Sequence, residues 1–417
     1  MRHTFHLKTL AVAIATLSVA SVASAAGLDR SGQDITAFLQ DGTYAEAVYT
    51  YIDADVTGKD TSGNKIDDIA ESYDFFRYGV KTDINETFSI GVLYDEPFGA
   101  AADYSGDNNF VDNGDNAVLT GFGLSPAGNG EGTNVEVRTE NITGILGAKF
   151  GQNKNFQVYG GPVAQRVEAD VRLRGQAYSA ADGYTTHISA DQDYGYIAGV
   201  AYSKPEIALK VALTYRSEID HTMDISETYP VAGALARNPA AASQNGVVDV
   251  TTPESVNFDF QTGINPTTLA TAKIRWVPWS DFAITPPLYN GVSKSLLGLG
   301  ASGIPPEGLD LISYDEDQWQ VELGLAKRLA PALAISGTVG WDSGAGNPVS
   351  SLGPIEGYYS AGLGAKYNVT ESWAVSAGGK YLWFGDAEGQ IPSKTIVSDF
   401  ESNDGFVLGV KVSYQAQ

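Results

Sequence analysis

Any chemistry in this chain rests on carboxylates, ammonium groups and guanidinium groups, because its 417 residues include no cysteine and only four histidines. His3 and His6 lie near the start, and His187 and His221 stand in no metal-ligand spacing with each other. No Gly-x-Ser-x-Gly elbow and no glycine-rich phosphate loop accompanies them. A hydrolase using a histidine with a distant Ser or Asp stays open, since triad partners need not be close in sequence. The acidic stretch Asp103 to Asn116, with Asp107, Asp112 and Asp115, has residue types that suit calcium but not the spacing of an EF-hand loop. It reads first as solvated surface. No cofactor and no metal is expected. The informative charges are lysines and arginines spread singly over alternating segments, and the question is what holds them.

The segments themselves answer. In Phe406-Val-Leu-Gly-Val-Lys-Val-Ser-Tyr414 the apolar Phe406, Leu408, Val410, Val412 and Tyr414 alternate with Val407, Gly409, Lys411 and Ser413. That period of two belongs to a strand with one greasy and one polar face, and it recurs in about fourteen segments. In an exported chain, lipid outside and water or ligand inside is the economical reading. Export is indicated by Arg2, His3, His6 and Lys8, then the apolar Leu10 to Val22, then Ala23-Ser24-Ala25 as a small-residue cleavage site. Residues 1–25 are therefore read as a signal peptide. Its removal takes away Arg2 and Lys8 and no acid, so a formal charge of -24 becomes -26. Such acidity argues against nucleic acid, whose phosphates it would repel.

Short turns fall at Asn85-Glu86, Gln152 to Asn155, Lys204-Pro205-Glu206, Asn265-Pro266, Ala330-Pro331 and Asn368 to Ser372. Long connections run approximately 57–72, 99–133, 172–190, 223–251, 283–313, 343–355 and 387–400. Six short and seven long connections join fourteen strands, the asymmetry of a bacterial outer-membrane barrel, and an even count closes the sheet without an edge. The expectation is an all-β transmembrane antiparallel barrel over 43–417, with a short lumenal hatch over 26–42 and long external loops.

Parity assigns faces. Ile207, Leu209, Val211, Leu213 and Tyr215 oppose Lys210, Thr214, Arg216 and Glu218, while Trp319, Val321, Leu323 and Leu325 oppose Gln318, Gln320, Glu322 and Arg328. An ionised group facing lipid costs ~2–4 kcal/mol near the midplane, so Arg77, Lys81, Arg138, Arg166, Glu168, Lys273, Arg275, Lys366, Lys380 and Lys411 are also assigned to the lumen. Tyr358, Tyr359, Tyr367, Trp373, Tyr381, Trp383 and Tyr414 suit interfacial girdles or ordinary strand preference.

Several segments resemble one family. Residues 252–282, with Gly263-Ile-Asn-Pro266 and Arg275-Trp-Val-Pro-Trp279-Ser-Asp-Phe282, are similar to the FadL/TodX outer-membrane transporters of long-chain fatty acids and other hydrophobic compounds. Leu213-Thr-Tyr-Arg216-Ser-Glu218, Gly340-Trp-Asp342-Ser and Tyr51-Ile-Asp-Ala-Asp-Val-Thr-Gly58 follow the same pattern. The resemblance implies a fourteen-stranded barrel blocked by an N-terminal hatch, a greasy external groove, a lumenal ligand site and sideways release at a kinked strand. It also implies a passive transporter, not an enzyme, monomeric in the outer membrane, with fatty acids or hydrocarbons and membrane lipids as its partners.

Two departures stand out. The hatch looks truncated, and the family's Asn-Pro-Ala element is missing ahead of the first strand; Asn238-Pro239-Ala240 sits in a long loop instead. Ile35, Phe38 and Leu39 keep helical spacing, placing Phe38 either against ligand or in a packing staple. Of the family's basic ligand-carboxylate positions, one maps onto Arg166 and the other onto Glu316, so Arg216, Lys273 or Arg275 would have to compensate. Salt bridges to Glu168, Glu218 or Asp170 are the alternative role for each. Loop 223–251, with Tyr229-Pro-Val-Ala-Gly-Ala-Leu235, is apolar for an exposed loop, so it reads as a capture groove or a plug, and 283–313 would contribute. Pro97 interrupts a strand and cannot donate a ladder bond, which marks it as a lateral opening or as the strand's end. A diffusion porin for polar solutes and a transporter of monoaromatic hydrocarbons are the competing readings.

Overall fold

The computed structural model describes residues 28–416, so the expected signal peptide and the first two residues of the expected hatch lie outside the described residues. Seventeen hydrogen-bonded segments make one antiparallel sheet that closes on itself, and three strands are each split in two, leaving fourteen. They are β1 (Tyr44–Asp55), β2 (Tyr73–Asp83), β3 (Phe88–Asp95 continued by Gly99–Asp103), β4 (Asn134–Phe150) and β5 (Phe156–Arg172). Then come β6 (Thr185–Lys204), β7 (Leu209–Arg216 and Ile219–Thr228), β8 (Ser243–Thr252 and Ser255–Asn265) and β9 (Thr268–Val277). β10 (Gln318–Ala330), β11 (Leu333–Asp342), β12 (Glu356–Asn368), β13 (Trp373–Gly385) and β14 (Asp404–Gln415) complete the wall. β14 pairs with β1 from Tyr44↔Gln415 to Asp55↔Asp404, which closes the ring and leaves no edge.

The six short turns fall where their turn residues place them. Three of the long loops are shorter than expected, because strands run on: 223–251 becomes 229–242, 172–190 becomes 173–184 and 99–133 becomes 104–133. The loop expected over 283–313 is longer, 278–317, because β9 ends at Val277, and Ile207 belongs to a single 3-10 turn, Pro205–Ile207.

The lipid-facing pattern is as expected over much of the wall. Phe406, Leu408, Val410 and Val412 point out, as do Trp319, Leu323, Leu325, Leu213, Tyr359, Tyr367, Trp373, Tyr381 and Trp383, while Tyr358 turns inward and is buried. Arg77, Lys81, Lys273, Arg275, Lys366, Lys380, Lys411 and Arg216 face the lumen. Arg138, Arg166, Glu168 and Glu218 do not. Arg138 pairs with Glu136, and Arg166 with Glu168 at 3.8 Å, on the outer surface. The reason is length. β4 and β5 have 17 residues each, ~56 Å of strand at ~3.3 Å per residue, far more than the ~25 Å lipid band needs. Above the membrane the outer face meets water, where a charge costs nothing. Glu218 falls out for a local reason. β7 breaks between Arg216 and Ile219, both inward, so the inward parity changes from even to odd there.

Residues 28–43 form the hatch, held mainly by ion pairs and hydrogen bonds to the wall. Asp29 takes two bonds from Arg275, at 2.7 and 3.0 Å, and one from Gln320. Asp34 lies 2.8 Å from Lys273 and 3.6 Å from Arg77. Lys81 donates to the carbonyls of Gln40 and Gly42, and Lys210 to that of Leu39. The lower anchor is apolar: Phe38 is fully buried beside Tyr159, with ring centroids 5.7 Å apart. A Cβ on Gly91 or Gly147 would stand 2.7 or 2.9 Å from its ring, so the two glycines are what admit it.

Candidate functional site: an apolar chamber above the hatch

The upper inner wall reverses the polarity of the lower one. Val135 and Val137 on β4, then Val167, Ala169 and Val171 on β5, point inward between outward Glu136, Arg138, Glu168 and Asp170. Loops fill the space above them with rings. Tyr184, Tyr229 and Tyr289 form one cluster, and Trp279, Phe98, Phe282 and Tyr314 another, with Phe98 to Trp279 edge-on at 5.4 Å. Burial carries the Tyr289 hydroxyl well above its ordinary pKa, so it stays neutral.

Beneath the second cluster lies a narrow cavity with about 20 Å³ of free space, bounded by Leu28, Phe98, Val137, Met223, Trp279 and Phe282 among others. Its two polar wall residues are spent. Thr139 Oγ1 donates to the Phe98 carbonyl and accepts from its N–H, and Thr252 Oγ1 donates to Gln165. The chamber therefore offers apolar contact and little else, which suits a hydrocarbon body.

A polar layer follows. Asp95, Asn141 and Gln165 are cross-strand neighbours on β3, β4 and β5, all buried. Gln165 accepts from Thr252 and lies 3.1 Å from His221 Nε2. Arg216 donates to Thr143 at 3.1 Å, yet its Nε has no partner, and neither do the Asn141 amide atoms or Asp95 Oδ1. The expected site residues are thus scattered. Arg216 sits in this layer, Lys273 and Arg275 are engaged by hatch carboxylates, Phe38 packs in the lower staple, and Arg166 is outside. His187 is also outside, against Asp170 at 2.8 Å. In the acidic stretch Asp103, Asp107 and Asp115 are exposed, as solvated surface would be, and one acid departs from that reading. Asp112 is buried and accepts the N–H groups of Gly114, Ala127 and Gly128.

The sequence reading missed Leu28, Phe98, Val137, Met223 and Trp279. The signal was present in Val135-Glu-Val-Arg138 and Val167-Glu-Ala-Asp-Val171, whose alternation is the same as lower down but with charges opposite apolar residues.

Two further features flank the chamber. Leu235 lies in the helix Pro230–Ala236, which with the helix Pro287–Gly298 lines an open outer groove of about 1140 Å³ that also includes Leu288, Val292 and Leu299. On the side of the barrel, β2 and β3 pair only from Asp83↔Ser89 to Tyr78↔Tyr94. Beyond the break at Pro97 the hatch takes over the ladder: Arg30 N–H donates to the Pro97 carbonyl and Gly99 N–H to that of Leu28. The Arg30 guanidinium lies 4.1 Å from the centroid of the Tyr73 ring, in the space a Cβ on Gly99 would fill.

Residues 34–415 match the model of the outer membrane protein transport protein family (OMPP1/FadL/TodX). The chain belongs to this family. It is an outer-membrane barrel protein of the FadL/TodX type, and family membership rests on the match across nearly the whole barrel. Among solved structures, a Pseudomonas aeruginosa FadL homologue aligns with TM-score 0.68 at 15% identity, covering 96% of this chain and 99% of that one. The P. putida toluene transporter TodX aligns with TM-score 0.59 at 12% identity, over 90% of this chain and 91% of that one. The CymD monoaromatic hydrocarbon channel aligns with TM-score 0.53 at 12% identity, over 96% and 98%. At these identities the structural likeness speaks for the fold. No curated protein matches the sequence.

Proposed function

We propose that this protein is a passive outer-membrane transporter of hydrophobic compounds and not an enzyme. The observation that carries the reading is the closed chamber between Leu28, Met223 and Trp279, apolar and above a barrel stopped by its hatch. A ligand meets the groove beside Leu235 first, then the chamber. It leaves sideways past Pro97, where the wall depends on the Leu28 to Arg30 segment. Delivery among acyl chains spares the ligand rehydration of its apolar surface. Any polar head on the ligand lies at the unpartnered donors of Arg216 and Asn141, below the chamber. The toluene transporter TodX and the CymD monoaromatic hydrocarbon channel have similar folds, and the apolar lining of the chamber suits a neutral aromatic as well as a fatty acyl chain. The lumenal cations Arg77, Lys81, Lys210, Lys273 and Arg275, committed to residues 28–43, speak against a porin.

The test is titration of the purified protein with toluene and with oleate, in wild type and Met223→Glu. Stoichiometric binding lost in the variant supports the reading. Steady ion conductance of the intact protein without binding of either compound refutes it in favour of the porin.

A further inference from the structure

Near the periplasmic rim, on a different sector of the wall, the lumen holds a lysine with no partner among the described residues. Lys366 on β12 is 5% exposed, faces inward and makes no hydrogen bond or ion pair with any of them. Its basic neighbours are spent: Lys411 lies 3.1 Å from Glu46 and Lys380 is paired with Glu322. Ser376 is the direct cross-strand partner of Lys366, and Ser336 stands on the other flanking strand, opposite Gly364. Both serine hydroxyls are buried without a partner. The inner row next to Lys366 runs Ser336, Gly364, Gly378 and Gly409 across β11 to β14, so its neighbours there carry little or no side chain. The Lys366 amine and the two idle hydroxyls are donors that lack an acceptor, and buried hydroxyls such as these are nearly always satisfied in folded proteins.

We propose that Lys366, Ser376 and Ser336 form a binding site for a carboxylate, separate from the apolar chamber. One uncompensated cation matches a monoanion. A carboxylate has two oxygens, enough for the ammonium and both hydroxyls at once, and charge-assisted bonds of this kind are the strong ones. The same chemistry reaches the site in two forms, as a small free acid entering from the periplasm or as the head of a chain-bearing acid inside the barrel.

The experiment uses the full mature protein in detergent, titrated with carboxyl-labelled acetate and decanoate and read by line broadening of the labelled carbon. Binding to wild type is expected to fall at least about tenfold in Lys366→Met, fall less in Ser376→Ala, and persist in Lys366→Arg. Broadening of both acids assigns small free acids, and broadening of decanoate alone assigns the head of a longer one. Retained heat-shifted gel mobility shows that the barrel is folded; if Lys366→Met fails it, Ser376→Ala with Ser336→Ala reads the site instead. Toluene binding measured in parallel is expected to be unchanged, which separates this site from the transport reading. No broadening by wild type, or equal broadening by Lys366→Met, overturns the proposal.

Discussion

The two halves of β4 obey the same period and opposite chemistry. From Ile142 to Phe150 the outward residues are apolar, with Leu146 62% exposed, whereas from Glu136 to Glu140 the outward residues are Glu136, Arg138 and Glu140 and the inward ones Val135, Val137 and Thr139. Alternation therefore says that a segment is a strand with two unlike faces, and the surrounding solvent decides which face is which. Lipid surrounds the lower half, so charge goes inward, where Asp29, Asp34, Glu46 and Glu322 pair with most of the cations. Water surrounds the upper half, so grease goes inward and lines the apolar chamber.

The sharpest way to break the comparison is through the hatch ion pairs of the lower half. Arg275→Met leaves Asp29 buried without its guanidinium, and stranding one partner of a buried pair costs ~3–5 kcal/mol. The hatch is then expected to undock, seen as a rise in single-channel conductance in planar bilayers. Unchanged conductance would show that the hatch is held by the Phe38 staple alone.

Charge swaps on β4 test the boundary next. Leu146→Arg puts a charge toward lipid and should cost ~2–4 kcal/mol. Arg138→Leu, only eight residues away and also outward, should stay within about 0.5 kcal/mol, as exposed substitutions do. Denaturant midpoints for refolding into lipid vesicles give both values, and a comparable cost at the two positions would dissolve the contrast.

Much of this was readable in the sequence. Strand number, turn positions and the outward faces of β10 and β14 follow from turn residues and period two. The inward orientation of Arg166 and Glu168 did not survive, because parity carries no information about where the lipid ends. The chamber stayed hidden because residues as distant as Leu28, Val137, Met223 and Trp279 meet only when the barrel closes. The role of Lys273 and Arg275 was likewise unreadable, since Asp29 and Asp34 lie more than 200 positions away and look like loop acids.

Two smaller effects sharpen the upper half. Arg166→Ala should leave ligand binding within about twofold, because the side chain is on the outside. Glu131 ties the loop before β4 to Arg172 and Arg174, at 2.9 and 2.7 Å. Burial raises its pKa, but the two arginines outweigh that and hold it below the usual range. A depressed folded pKa adds stability above the unfolded value of ~4.3 that is lost as pH falls through the folded one. Hydrogen exchange of residues 131–133 should therefore quicken below about pH 4 in wild type, and Glu131→Gln should remove that dependence.

Because the chain has no cysteine, single-cysteine spin labelling along β4 reads the boundary directly. Labels at 136, 138, 140, 142 and 146 in lipid vesicles would be probed with oxygen, which concentrates in lipid, and with a polar nickel complex. The account predicts nickel access at 136, 138 and 140, with a change to oxygen access at 142 and 146. Oxygen-dominated access at 138 and 140 would place those charges within the membrane and contradict the division of the barrel into a lipid-facing half and a water-facing half.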